Sequence, residues 1–373
     1  MERGQATPGQ DSFVLLDGLR GMGAILVLVG HTMQYWGGFW APSGAVVVDM
    51  FFLLSGFVIA YAYEPKLAQG LGVGAFMLSR IVRLYPLYLL GMVLGFIVLF
   101  AMAVGDADGG ERGLALVAQL APQLVMLPAP PQLGSPDLYS LNVPAWTLLF
   151  ELVVNFVYVA AFRWLRDTRV LALLVVAFAV ALAAAVLVVG RIDAGSDWAT
   201  FWAGLARAGF GFFAGVLTFR LMGAPRTTKR PVSNWSFVLL LAIPVAGFIP
   251  ATPELRPFVD MTLAMALGMP VLWLCQAMAP PLRYHALFTV GGRISYAIYI
   301  LHQPFRELAE RISWRSGVLF EIRPIGGIVI LVAVVGLAYV AERFYDRPVR
   351  RWIVSRLKRR AAVRAGGVAI SAG

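Results

Sequence analysis

The stretch LDGLRGMGAILVLVGHTM, residues 16–33, decides how the rest of the chain is read. It is apolar enough for a membrane span, yet it carries Arg20 and, eleven positions later, His31. An ionisable group inside a span is costly unless it has a task or a partner. At 1.5 Å rise per residue the two side chains stand roughly 16 Å apart along a helix, about half the hydrocarbon core of a bilayer. Arg20 therefore fits a membrane face and His31 the interior.

Composition extends that reading to the whole chain. Of 373 residues, 60% are hydrophobic and 14% charged, with a mean hydropathy of +0.77. Soluble domains carry about 25% charged residues, so the composition is that of an integral membrane protein. A single cysteine, Cys275, excludes an internal disulfide and a cysteine metal cluster. The histidines, His31, His285 and His302, are scattered and the carboxylates lack ligand spacing, so no metal site is predicted. The net charge of +11 is assigned to cytoplasmic loops rather than to nucleic-acid binding.

Ten apolar stretches follow one another at 18–37, 46–63, 84–104, 145–164, 170–190, 200–221, 235–251, 258–279, 294–306 and 324–345. The expected fold is all-α, a polytopic transmembrane helix bundle of about ten spans with both termini cytoplasmic. That arrangement keeps most Lys and Arg residues inside, including the run from Arg343 to Arg364. The stretch 113–128 is too short to span and contains Pro122 and Pro128, so it is expected to be interfacial or re-entrant. A membrane domain over 1–348 and a basic cytoplasmic tail over 349–373 are predicted. The tail sequence RPVRRWIVSRLKRR suits a surface helix on anionic lipid. The expected location is the cytoplasmic (inner) membrane, crossed many times.

This topology places His31, Asp49, Glu151, Arg207 and His302, from five different spans, in one outer-to-middle layer. Within that layer Asp49 is expected to be shallower and Glu151 at a depth like that of His31. The structural alternative for Asp49, Glu151 and Arg207 is ion pairing between helices. His302, just before Pro304, is expected nearer a span end and more exposed. Arg80 and Arg83, in SRIVRLYP, fall at the cytoplasmic end of the third span.

Five blocks in order resemble the acyltransferase-3 family of integral membrane O-acyltransferases. LDGLRGMGAILVLVGH is similar to its signature of a basic residue and a histidine, here Arg20 and His31. VVVDMFFLLSGFVIAY resembles its second block through Asp49, Phe51, Phe52, Ser55, Gly56 and Phe57. FMLSRIVRLYPLY matches an Arg-x-x-Arg block at Arg80, Arg83 and Pro86. VPAWTLLFELVVNF matches at Trp146 and Glu151, with Thr147 where serine is usual. GRISYAIYILHQPF matches at Ser295, Tyr296, Tyr299, His302 and Pro304. The likeness runs from Leu16 to about Pro348 and suggests a standalone form without an SGNH-type esterase domain.

The resemblance implies an O-acyltransferase that moves an acyl group, usually acetyl, from cytoplasmic acyl-CoA to a hydroxyl on an extracytoplasmic glycan such as a surface polysaccharide. It implies His31 as general base or transient acyl carrier, with Asp49 or Glu151 fixing its tautomer. Arg20, Arg80 and Arg83 would hold the CoA phosphates. Ser55, Arg207 and Tyr296 are candidates to support the oxyanion, and Trp146, Ser295 and His302 are further candidate site residues. No metal is expected; acyl-CoA, the acceptor and the bilayer are the expected partners. A proton-coupled transporter is the competing reading, since buried carboxylates and a histidine also suit a proton relay. No half-to-half repeat supports it.

Overall fold

The computed structural model describes residues 14–38, 43–105, 109–222 and 232–370, though not the side chains at 239, 242–244 and 360–370. The polar N-terminal segment, the acidic loop residues 106–108 and the loop cations Arg226, Lys229 and Arg230 lie outside the described residues. The helices run in the order α1 (Val14–His31), α2 (Val46–Ala68), α3 (Val73–Val104), α4 (Gly109–Leu124), α5 (Trp146–Ala160), α6 (Phe162–Leu165), α7 (Thr168–Val189) and α8 (Phe201–Met222). Then come α9 (Trp235–Ala246), α10 (Arg256–Thr262), α11 (Gly268–Ala277), α12 (His285–Ser316), α13 (Val318–Glu321), α14 (Ile325–Val340) and α15 (Arg347–Ile370). Two π-helical segments, Leu263–Leu267 and Ala341–Asp346, join α10 to α11 and α14 to α15. Among the described residues there is no strand, only two isolated bridges. Helices satisfy their own backbone in lipid, which is why a chain this apolar takes that form.

Eight helices among the described residues are long and apolar enough to cross a membrane. Two further predicted stretches are helical but differ in kind. The stretch at 235–251 holds α9, only 12 residues long. The stretch at 294–306 lies within α12, a 32-residue helix whose far half carries Arg306, Glu307, Glu310 and Arg311. The segment predicted to be interfacial or re-entrant is α4, a helix of 16 residues and so about 24 Å long, short of a bilayer core. It lies along α3 with Leu116, Gln119 and Gln123 buried and Leu114 exposed. The predicted boundary at 348 falls inside helix that is continuous from α14 through α15. There the π-helical segment turns Glu342 and Asp346 inward, onto Arg347 at 2.9 Å and Arg350 at 2.5 Å.

Small residues set the closest helix approaches, as expected where lipid supplies no hydrophobic drive between helices. On α2 and α8, Gly56 lies against the Phe212 carbonyl and Gly215 against that of Leu53. On α1 and α12, Gly21 touches the Gly291 backbone, and Gly292 leaves room only for Asp17. These contacts make α1 and α12 parallel neighbours, with the N-terminal parts of both at one end. Pro304 lacks the N–H that would bond the Ile300 carbonyl one turn earlier. The buried Asn142 side chain supplies that donor, at 2.8 Å, and ties the loop before α5 to α12.

A methyl group at position 56 has no space, so Gly56→Ala is expected to destabilise the fold by about 1–3 kcal/mol through overpacking. Gly74→Ala, where the added carbon meets open space, should be neutral or stabilising because alanine favours the helix. Thermal unfolding in detergent of the two variants checks this, and equal melting temperatures would contradict the α2–α8 packing.

Candidate active site

A cavity of ≈ 170 Å³ opens between α1, α2, α3, α5 and α12 and gathers seven of the residues singled out in the sequence: Arg20, Ser55, Arg80, Arg83, Glu151, Ser295 and Tyr296. Phe51, Thr147 and Tyr299 line it as well. Most of the polar groups are committed to a partner. Arg80 Nη2 donates to Glu151 Oε1 at 2.6 Å, and Ser55 Oγ donates to the same oxygen at 3.1 Å. Tyr296 donates to the Leu84 carbonyl at 2.7 Å, and Ser295 to the Gly292 carbonyl of its own helix at 2.8 Å. Thr147 Oγ1 and Tyr299 Oη share a 3.0 Å hydrogen bond.

The two remaining arginines are much less engaged. The nearest carboxylate to Arg20 is that of Asp17, at 3.9 Å. Arg83 makes no hydrogen bond or ion pair with any described residue. With one carboxylate matched to Arg80, the cavity wall presents two more guanidinium groups, Arg20 in a long pair with Asp17 and Arg83 with Asp346 within electrostatic reach but no direct partner. That is the electrostatic profile of an anion site.

The expected single layer of ionisable groups is corrected in three respects. Glu151 is not level with His31; it sits with the arginines, because its side chain answers Arg80. Asp49 does not reach His31 either. It forms a bidentate pair with Arg207, Nε to Oδ1 at 3.0 Å and Nη2 to Oδ2 at 2.9 Å. Arg207 also donates to the carbonyls of Ala194 at 2.9 Å and Ala45 at 3.1 Å, and the Trp146 ring covers it at 5.4 Å. Both partners are almost fully buried. Third, His302 is not exposed; it is completely buried, because α1 packs along its helix.

His31 meets His302 instead of a carboxylate, with 2.6 Å between His31 Nδ1 and His302 Nε2. His31 is exposed, at the end of α1, and beside Gly30 the space is open. The charged groups within electrostatic reach of His31 are Arg306, one turn further along α12, and Asp193, in the loop before α8. Tyr299 links the two regions. It lines the arginine cavity, and its ring centroid is 6.0 Å from that of His302.

The histidine pair itself was not predicted. A signal for it exists in the sequence: Gly21 precedes His31 by ten residues, and Gly292 precedes His302 by the same interval. Gly21 packs on Gly291, the neighbour of Gly292, so the two parallel helices bring the histidines to nearly the same level. Neither Asp193 nor the tie from Asn142 to Ile300 had a sequence signal, since both depend on loop paths.

The family description "Acyltransferase domain" matches residues 13–343. The chain belongs to the acyltransferase-3 family. It is 41% identical over 166 residues to "Protein 2 in picA locus" of Rhizobium radiobacter, a match covering 41% of this chain and 83% of that protein. It is 29% identical over 167 residues to "Acyltransferase MdmB" of Streptomyces mycarofaciens, covering 42% of this chain and 40% of that protein. The chain thus spans well under half the length of that second relative. No solved structure matches it. As a member of this family, the chain is a membrane acyltransferase.

The Asp49–Arg207 pair holds α2 to α8, so breaking it should act on stability. Asp49→Asn or Arg207→Met should each cost about 3–5 kcal/mol, because the remaining buried charge loses its partner. The double substitution should cost less than the two single costs combined. Detergent unfolding of the three variants checks this, and additive losses would show that the pair is not coupled.

Proposed function

We propose that this chain transfers an acyl group, acetyl in the simplest case, from cytoplasmic acyl-CoA to a hydroxyl group of an extracytoplasmic glycan, in the cytoplasmic membrane. The observation that carries the reading is the pairing of a cationic cavity with an exposed histidine on the same parallel helix pair. Arg20 and Arg83 bind the phosphates of the donor through charge-assisted hydrogen bonds, and Arg80 is held in place by Glu151 and Ser55. A cavity of ≈ 170 Å³ suits a pantetheine arm and not a whole nucleotide, so the nucleotide stays at the arginine mouth. The arm points the thioester past Tyr299 toward the histidines.

His31 then takes the proton of the acceptor hydroxyl, and the hydroxyl oxygen attacks the thioester carbon. The carbon–sulfur bond breaks, and the thiolate receives the proton that His31 held. Atoms balance as ester plus CoA thiol. The cytoplasmic placement of the arginine mouth follows from the preponderance of basic residues on that side of the proposed topology. It leaves His31 on the side from which a glycan arrives.

In purified protein with labelled acetyl-CoA and a hydroxyl acceptor, His31→Ala should abolish CoA release while the protein stays folded. Arg83→Ala should raise the acyl-CoA KM about tenfold or more, with a weaker salt dependence than the parent protein, since a charged phosphate contact is lost. Release of CoA by His31→Ala at the parent rate would overturn the role of that residue. Substrate flux in proteoliposomes without thioester cleavage would overturn the enzyme reading in favour of a transporter.

A further inference from the structure

The partners of the buried histidine dictate where the protons of the pair must lie. His302 Nδ1 is 2.7 Å from the Tyr299 carbonyl oxygen and 3.3 Å from that of Ile298. Carbonyl oxygens only accept, so His302 Nδ1 carries a hydrogen. A fully buried imidazole is neutral at rest, because an unpaired charge there would be costly. His302 Nε2 is then a bare acceptor. His31 Nδ1 stands 2.6 Å away and must be the donor. The ring planes lie 15° apart and the centroids 4.9 Å apart, which is the nitrogen–nitrogen distance plus a ring radius on each side. The contact is therefore edge to edge and nearly in plane, the alignment a hydrogen bond needs.

From this geometry we infer that His302 is a positioning residue, which fixes His31 in the Nδ1–H tautomer and leaves His31 Nε2 bare for chemistry. The inference rests on the proposed acyl transfer and specifies which atom carries it. The third member of a triad does the same work with a carboxylate. Here a neutral imidazole does it, anchored by a carbonyl of its own helix, so no formal charge is buried in the resting pair. The commitment of Asp49 to Arg207 and of Glu151 to Arg80 leaves that place to His302.

During transfer the acceptor proton bonds to His31 Nε2, and the pair then holds one proton more than at rest. The hydrogen on His31 Nδ1 lies on the line to His302 Nε2, so the positive charge is shared between the rings. Returning the Nε2 proton to the departing thiolate restores the resting state. The same bare Nε2 would serve if His31 carried the acyl group covalently.

The test combines a direct reading of the tautomer with kinetics on the full chain in detergent. In spectra of 15N-histidine-labelled protein, assigned through His285→Gln, His31 should show a protonated Nδ1 and an unprotonated Nε2. In His302→Phe, which keeps a ring of similar shape without nitrogens, His31 should show a mixture of both tautomers. The same variant should lose kcat about 100-fold with the acetyl-CoA KM unchanged. His302→Gln, whose amide oxygen can accept from His31 Nδ1, should recover activity to within about tenfold of the parent.

Protonation of His31 at Nε2 in the parent protein would overturn the inference. So would equal loss in the Phe and Gln variants with the tautomer unaltered. If His302→Phe does not fold, the parent spectrum and His302→Gln still decide. A reversed tautomer with an inactive His31→Ala removes this inference alone, whereas an active His31→Ala removes the acyl-transfer role of His31 and leaves the tautomer result standing.

Discussion

The parallel contact between α1 and α12 is the constraint on which the site depends. Gly21 against the Gly291 backbone brings the two helices close enough for edge-to-edge contact between side chains further along. Ten residues on from Gly21 and eleven from Gly291, at about 1.5 Å each, the helices present His31 and His302. The same contact brings Arg20 to the cavity that Ser295 and Tyr296 line from α12. A larger residue at Gly21 would separate the helices and lose both ends of the site together.

The second organising rule is how the bundle disposes of charge. Burying an ion without a partner is expensive, so most carboxylates and arginines inside the bundle are matched. Asp49 with Arg207, Glu151 with Arg80, and Glu64 with Arg220 at 2.7 Å join different helices. Arg20 and Arg83 are the exceptions that line the cavity. Arg20 has only the long contact to Asp17, and Arg83 no direct partner, so both keep donors that an anionic ligand could take. The contrast between closely paired and loosely paired arginines is what the proposed donor site rests on.

Much of this was legible in the sequence. The apolar stretches gave the helices, and the blocks around Arg20, Arg80, Glu151 and Tyr296 named the residues that gather in one cavity. What failed was depth read from helix rise alone. Glu151 and His31 fall at similar distances from their span ends, yet Glu151 turns to Arg80, since pairing energy outweighs position along an axis. Ion pairing among Asp49, Glu151 and Arg207 is open from the sequence, but only tertiary packing of α2 on α8 shows that Asp49 and Arg207 consume each other. The exposure expected for His302 was reversed because α12 extends well beyond the apolar stretch, and α1 covers it at that level.

The central claim is that the arginine cavity and the histidine pair form one path for a thioester. A cryo-EM structure of the full chain in nanodiscs with a non-hydrolysable acyl-CoA tests it most directly. The account predicts density for the phosphates at Arg20 and Arg83, the arm passing Tyr299, and the acyl carbon near His31 Nε2. A near-attack separation would place the acceptor oxygen about 3–3.5 Å from that carbon. Acyl-CoA bound elsewhere, or bound in the cavity with its acyl end directed away from His31, would contradict the account.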